Sequence, residues 1–198
     1  MLFRSVSKTP RQLFEGLLAA RLHGDALQVL PHLVPKRVAV WWGCVCSWGA
    51  YRLNAPENAI AALQTAVRWV AHPTEENRRK AEAAGQATDM TSSAGALAMA
   101  AFWSGGSVSR PDLPEVPPPP DLTARTVAGA VLLAGVERDP LEFERHYCRF
   151  LALGRQIMEG RHLWPGAVPT SAPERVNGQS PETPPFLEAQ LVDTHAIV

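Results

Sequence analysis

Pro35-Lys36-Arg37-Val38-Ala39-Val40-Trp41-Trp42-Gly43-Cys44-Val45-Cys46-Ser47-Trp48-Gly49-Ala50-Tyr51 sets the fold class of this chain. Its uncharged part, Val38 to Tyr51, is 14 residues long, whereas a membrane-spanning helix needs about 20. Proline stands where a first helical turn tolerates it. Trp41 and Trp48 are seven residues apart and share a helix face, while Trp42 is turned from Trp41 by about 100°. A helix that is apolar nearly all round belongs inside a protein. The stretch predicts a buried core helix from Pro35 to about Arg52.

Helix signals continue in both directions. Upstream, Thr9-Pro10-Arg11-Gln12 supplies a cap, a first-turn proline and a reciprocal Gln, predicting a helix over roughly 10–22. A short second helix follows from Gly24 to Leu30, stopped by Pro31. Downstream, Asn54-Ala55-Pro56-Glu57 again combines cap, proline and reciprocal carboxylate. Ile60, Leu63, Val67 and Val70 carry that helix to His72-Pro73. Thr74-Glu75-Glu76-Asn77 opens a fifth helix that Gly85 is placed to end. Its polarity predicts a surface position, with Arg78, Arg79 and Lys80 on a solvated face.

A sixth helix from Ser92 to Trp103 is dominated by Ala94, Ala96, Ala98, Ala100 and Ala101. Small side chains allow close approach, so this helix is expected at a tightly packed centre. Ser104-Gly105-Gly106-Ser107 stops it, and a loop follows with Pro111, Pro114 and the run Pro117 to Pro120. Successive prolines lack N–H donors and favour polyproline II. Asp121 or Thr123 is placed to cap a seventh helix, Ala124 to Arg138. Asp139-Pro140-Leu141-Glu142 opens the last one, which runs to about Arg161 with Phe143, Tyr147, Phe150, Leu151, Gly154 and Met158 on one face. No alternating β-branched run and no fixed-period repeat is present. The fold class is therefore all-α: one multi-helical domain of seven or eight helices over 10–162. A short arm, 1–9, precedes it. A Pro-rich acidic tail, 163–198, follows and is expected to be mostly disordered, with at most a short docking helix from Phe186 to Val192.

Composition narrows the function. Hydrophobic residues make up 46% of the 198 and charged residues 19%, enough apolar material for a real core. The formal net charge is zero, which argues against a nucleic-acid binder working through a large basic field. The balance is uneven along the chain: residues 1–54 carry seven Lys or Arg and two Asp or Glu, and residues 163–198 carry one Arg and four acids. The first residues lack the apolar run of a secretory signal. The 3 cysteines, Cys44, Cys46 and Cys148, are an odd set, so reduced, buried thiols in a cytoplasmic protein are expected.

Chemical motifs are scarce. Cys44 and Cys46 are two apart on a helix and point about 200° apart, so they cannot chelate one ion. Glu142, His146 and Arg149 have helical-neighbour spacing and read as a solvated ion-pair face. An acid–base site built on Glu142 and His146 of the last helix is the enzymatic alternative. No nucleophile elbow, phosphate loop or dinucleotide fingerprint appears. No catalytic residue, metal or cofactor is predicted. Trp103 ends a helix just before the glycines and prolines, so Trp103, Gly105, Gly106, Pro117 and Pro118 form the candidate partner-binding site.

Four segments together carry a resemblance. They are Pro35 to Cys44, Glu75-Glu76-Asn77-Arg78-Arg79, Ala101-Phe102-Trp103-Ser104-Gly105-Gly106-Ser107, and Leu122 to Val131. In this order, over roughly residues 10–160, they resemble a bacterial domain-of-unknown-function family of small helical proteins. The resemblance implies a setting among type VI secretion genes and carries over no known activity or catalytic residue. The expected function is a non-catalytic protein-interaction factor: an adaptor, chaperone or accessory protein. Its expected partner is another protein, a secretion-system component by that resemblance, with no nucleic acid bound and no membrane insertion.

Overall fold

The computed structural model describes residues 9–51 and 55–164, the side chain of Arg138 apart. Among the described residues, eight helices follow one another: α1 (Pro10–Ala19), α2 (His23–Val29), α3 (Lys36–Tyr51), α4 (Glu57–Ala71), α5 (Glu75–Ala87), α6 (Ser93–Phe102), α7 (Leu122–Arg138) and α8 (Phe143–Met158). A 3-10 turn, Leu30–His32, joins α2 to α3. No strand occurs among the described residues. Residues 1–8 of the arm, the Asn54 cap and residues 165–198 of the tail lie outside the described residues.

All 10 residues of α6 are buried, which makes it the axis of the molecule. It packs against α3, α4, α5 and α7. Close approach follows from residue size. Ala59, Ala62 and Ala66 of α4 and Ala130 and Ala134 of α7 are all buried. A Cβ on Gly43 of α3 would lie 2.4 Å from Leu97 Cδ2 and 3.3 Å from Val127 Cγ1, so α3, α6 and α7 meet there without room for a methyl group. Trp41 and Trp42 are fully enclosed and Trp48 half-buried. The buried indoles are hydrogen-bonded: Trp42 Nε1 donates to the Phe150 carbonyl at 3.0 Å and Trp41 Nε1 to that of His162 at 2.7 Å. Arg37 donates to the carbonyls of Val70 and Ala71 at the end of α4 and lies 4.4 Å from the Trp164 ring. A cation there matches the negative end of the helix dipole.

Several boundaries differ from the sequence reading. Thr9 and Gln12 form the expected reciprocal cap of α1, but the helix ends at Ala19 and Arg21 turns with a left-handed φ of 58°. Pro31 sits inside the 3-10 turn, where its missing N–H costs nothing. Gly85 does not stop α5. It is buried within the last turn, where a Cβ would lie 2.8 Å from Met99 Cγ. Its value is close packing on α6, and α5 continues two residues further to Ala87. Neither proposed cap of α7 acts as one: Asp121 makes no capping bond, and Thr123 is buried and donates to the Trp103 carbonyl at 3.0 Å. Asp139 accepts from the Leu141 amide at 2.9 Å instead of capping α8, which therefore begins three residues later at Phe143.

Candidate functional site: an arginine-clamped connection

Residues 103–121 join α6 to α7 without a helix of their own. Connections longer than roughly 12–15 residues are uncommon in compact domains unless they are functional or disordered. This one is ordered, and its bonds show why. Arg78 of α5 is 4% exposed and aims its guanidinium beneath it. Nη1 donates to the Phe102 carbonyl at 2.7 Å and Nη2 to the Ser107 carbonyl at 2.9 Å. Nε and Nη2 each donate to a different oxygen of Glu75 at 2.6 Å, the two-pronged geometry that suits guanidinium and carboxylate. Arg79 donates to the carbonyls of Ser107 and Ser109 at 3.0 and 2.7 Å. Both guanidinium carbons stand near the Phe102 ring, at 4.7 and 5.3 Å from its centre.

The remaining anchors complete the frame. Lys36 Nζ donates to the Ser104 carbonyl at 3.0 Å. The Val108 amide donates to the Val116 carbonyl at 2.8 Å, and the Val116 amide to Ser107 Oγ at 3.0 Å. Gly106 has a φ of 62°, and a Cβ there would meet three Arg78 guanidinium atoms at 3.0 Å each. Both the backbone angle and the contact require glycine at this point. The inner side of the connection is thus hydrogen-bonded to the helices, while Leu113 and Val116 stay 54% and 49% exposed.

Of the candidate partner-binding residues, Trp103, Gly105 and Pro118 are half-buried, and Gly106 and Pro117 are exposed. All belong to this one connection. The Trp103 carbonyl is held by Thr123. The residues that sequence reasoning missed are those beneath. Arg78 and Arg79 are not a solvated face, because the Phe102, Ser107 and Ser109 carbonyls need donors that the loop itself does not supply. Glu75, three and four residues ahead of them, was the available signal. Only Lys80, paired to Glu76 at 2.5 Å, is half-exposed as expected. Hydrogen bonds from Arg78 are the first cause holding the Glu75 carboxyl below the usual glutamate range.

A second polar cluster also escaped the sequence reading. Ser93 of α6 donates its amide and its Oγ to the two Glu137 oxygens at 2.7 and 2.5 Å. Ser47 Oγ lies 2.6 Å from Ser93 Oγ. A carboxylate from the end of α7 thereby occupies the positive end of α6, and burial pushes the neighbouring Tyr51 phenol up.

The chain's remaining chemistry lies apart from the connection. Glu142 is exposed and pairs loosely with Arg145 at 3.7 Å. His146 is 7% exposed and stacks on Phe150, so this part of α8 is not the solvated face expected of it. Cys44 and Cys46 are buried as expected, and burial pushes the Cys44 thiol up to about 12. Cys148 is exposed, against expectation: α8 turns its apolar face inward and leaves position 148 on the rim beside α2. No group of three or more His, Cys, Asp or Glu able to hold a metal ion was found among the described residues. No helix among them is long and apolar enough to cross a membrane.

The family of unknown function DUF6931 matches residues 13–158. This chain belongs to the DUF6931 family. The match runs from α1 to the end of α8 and so takes in the whole arginine-clamped connection of this DUF6931 domain. No curated protein and no solved structure matches the chain.

Proposed function

We propose that this protein is a non-catalytic interaction factor, an adaptor, chaperone or accessory protein, that engages another protein through the 103–121 connection. One observation carries the reading: the connection is bound on its inner side by Arg78, Arg79 and Lys36 while Leu113 and Val116 face outward. A surface held in advance loses little conformational entropy on binding. Its proline segment, Pro117 to Pro120, brings no amide N–H of its own to be desolvated. The sequence resemblance adds the type VI secretion setting and makes a component of that apparatus the first partner to test.

The test is affinity capture with the full chain against a Leu113→Asp/Val116→Asp variant. A defined partner retained by the native chain and lost from the variant, with both chains melting alike, is the expected result. Equal retention by both chains, or no retained protein, contradicts the reading.

A further inference from the structure

Residues 114–119 of the connection are neither helix nor strand. Their sequence, Pro114-Glu115-Val116-Pro117-Pro118-Pro119, restricts the backbone severely. Each proline fixes its own φ, and a following proline drives Val116, Pro117, Pro118 and Pro119 into the extended region. The result is polyproline II, with three residues per turn, so that residues three apart line one edge. The segment is pinned at both ends and in the middle. The Leu113 amide closes onto the Arg110 carbonyl at 3.0 Å before it, and the Leu122 amide bonds the Pro119 carbonyl at 3.1 Å after it. Between them, Val116 donates its amide to Ser107 Oγ and accepts at its carbonyl from the Val108 amide.

The three edges differ. Pro114 and Pro117 form one, Val116 and Pro119 the second, and all four are exposed. Glu115 and Pro118 form the third, and Pro118 is the half-buried residue of the segment. Two apolar edges thus face outward side by side. The carbonyls of Pro117 and Pro118 accept no hydrogen bond among the described residues. Asp112 and Asp121 on either side are paired to Arg110 and Arg125. Glu115 is exposed and has no ion-pair partner among the described residues.

On the reading of the connection as a protein-binding surface, we propose that residues 114–119 are a preformed polyproline II ligand for an aromatic-lined groove with a basic rim on the partner. Aromatic walls take the pyrrolidine rings and Val116. Indole or phenol donors of the same walls reach the free carbonyls of Pro117 and Pro118. A basic group at the rim meets the unpaired Glu115 carboxylate. A second copy of this chain offers no such groove: each of its 6 tryptophans and 2 tyrosines is buried or half-buried.

The experiment challenges the protein retained by the native full chain with decaproline, a polyproline II helix without charged side chains. Decaproline should release it, and a Gly-Ser peptide of the same length should not. Calorimetry of the released, purified partner then reads the edges. Pro117→Ala, on an outward edge, should bind about tenfold more weakly. Pro118→Ala, on the inner edge, should stay within about twofold of native. Glu115→Lys should weaken binding about fivefold, with all three variants melting close to native. Retention that depends on Leu113 and Val116 but resists decaproline overturns the polyproline ligand and leaves the binding surface standing. No retained protein overturns both. A second copy of this chain as the retained protein overturns the aromatic groove. Equal losses at Pro117 and Pro118 overturn the edge assignment, and unchanged binding by Glu115→Lys overturns the basic rim.

Discussion

Replacing Arg78 with lysine keeps the charge and most of the aliphatic stem but removes the fork. A single ammonium is a point donor and cannot reach the Phe102 carbonyl, the Ser107 carbonyl and Glu75 together. The Glu75 side chain is 61% exposed, so the ion pair is screened and contributes at most about 1 kcal/mol. The Phe102 carbonyl is the larger matter. Left without a donor in a buried position, it costs about 1–3 kcal/mol, and loss of the Ser107 bond adds about 1 kcal/mol. The expected destabilisation is about 2–4 kcal/mol. For a chain of this size that is a fall in Tm of about 5–15 °C. Urea unfolding followed by far-ultraviolet circular dichroism should show a lower midpoint with an unchanged slope. A midpoint that places Arg78→Lys within about 0.5 kcal/mol of native, the range of an ordinary surface substitution, would refute the clamp.

Three further outcomes follow from the same geometry. Arg79 is 23% exposed and holds chiefly the 103–121 connection, so Arg79→Ala should lower stability by only about 1 kcal/mol while quickening Glu-C cleavage after Glu115; unchanged cleavage would count against its anchoring role. Gly43→Ala should cost about 1–3 kcal/mol by overpacking, read by urea unfolding, because the methyl would meet a fully buried Leu97 side chain at 2.4 Å. The lowered Glu75 carboxyl sets a pH dependence: its folded value lies below its unfolded one, so its contribution is present above the ordinary glutamate value of about 4.3 and is lost as pH falls through the folded value. Native chain should therefore lose stability more steeply than Glu75→Gln below about pH 4.3, and parallel urea midpoints would contradict that.

The helices were legible because their signals are local. Thr9-Pro10-Arg11-Gln12 fixes the start of α1 with groups three residues apart, and the alanines of α6 announce a helix that neighbours approach on every side. What escaped depends on distant partners. Arg78 looks solvated until Phe102 and Ser107, 24 and 29 residues away, present their carbonyls to it. Gly85 looks like a terminator because glycine commonly ends helices, and only the contact with Met99 shows it to be a packing residue. Asp139 carries a capping signature yet closes a two-residue turn with the Leu141 amide, and the cap and the turn draw on the same side-chain oxygen.

An arginine pair holds the 103–121 connection as a fixed outward-facing surface. Amide hydrogen exchange at Val108, whose N–H donates to the Val116 carbonyl at 2.8 Å, tests it most directly. Slow exchange is expected in the native chain and exchange at least about tenfold faster in Arg79→Ala, with the α6 amides unchanged. Exchange at the unprotected rate in the native chain, or equal protection in both, would contradict it.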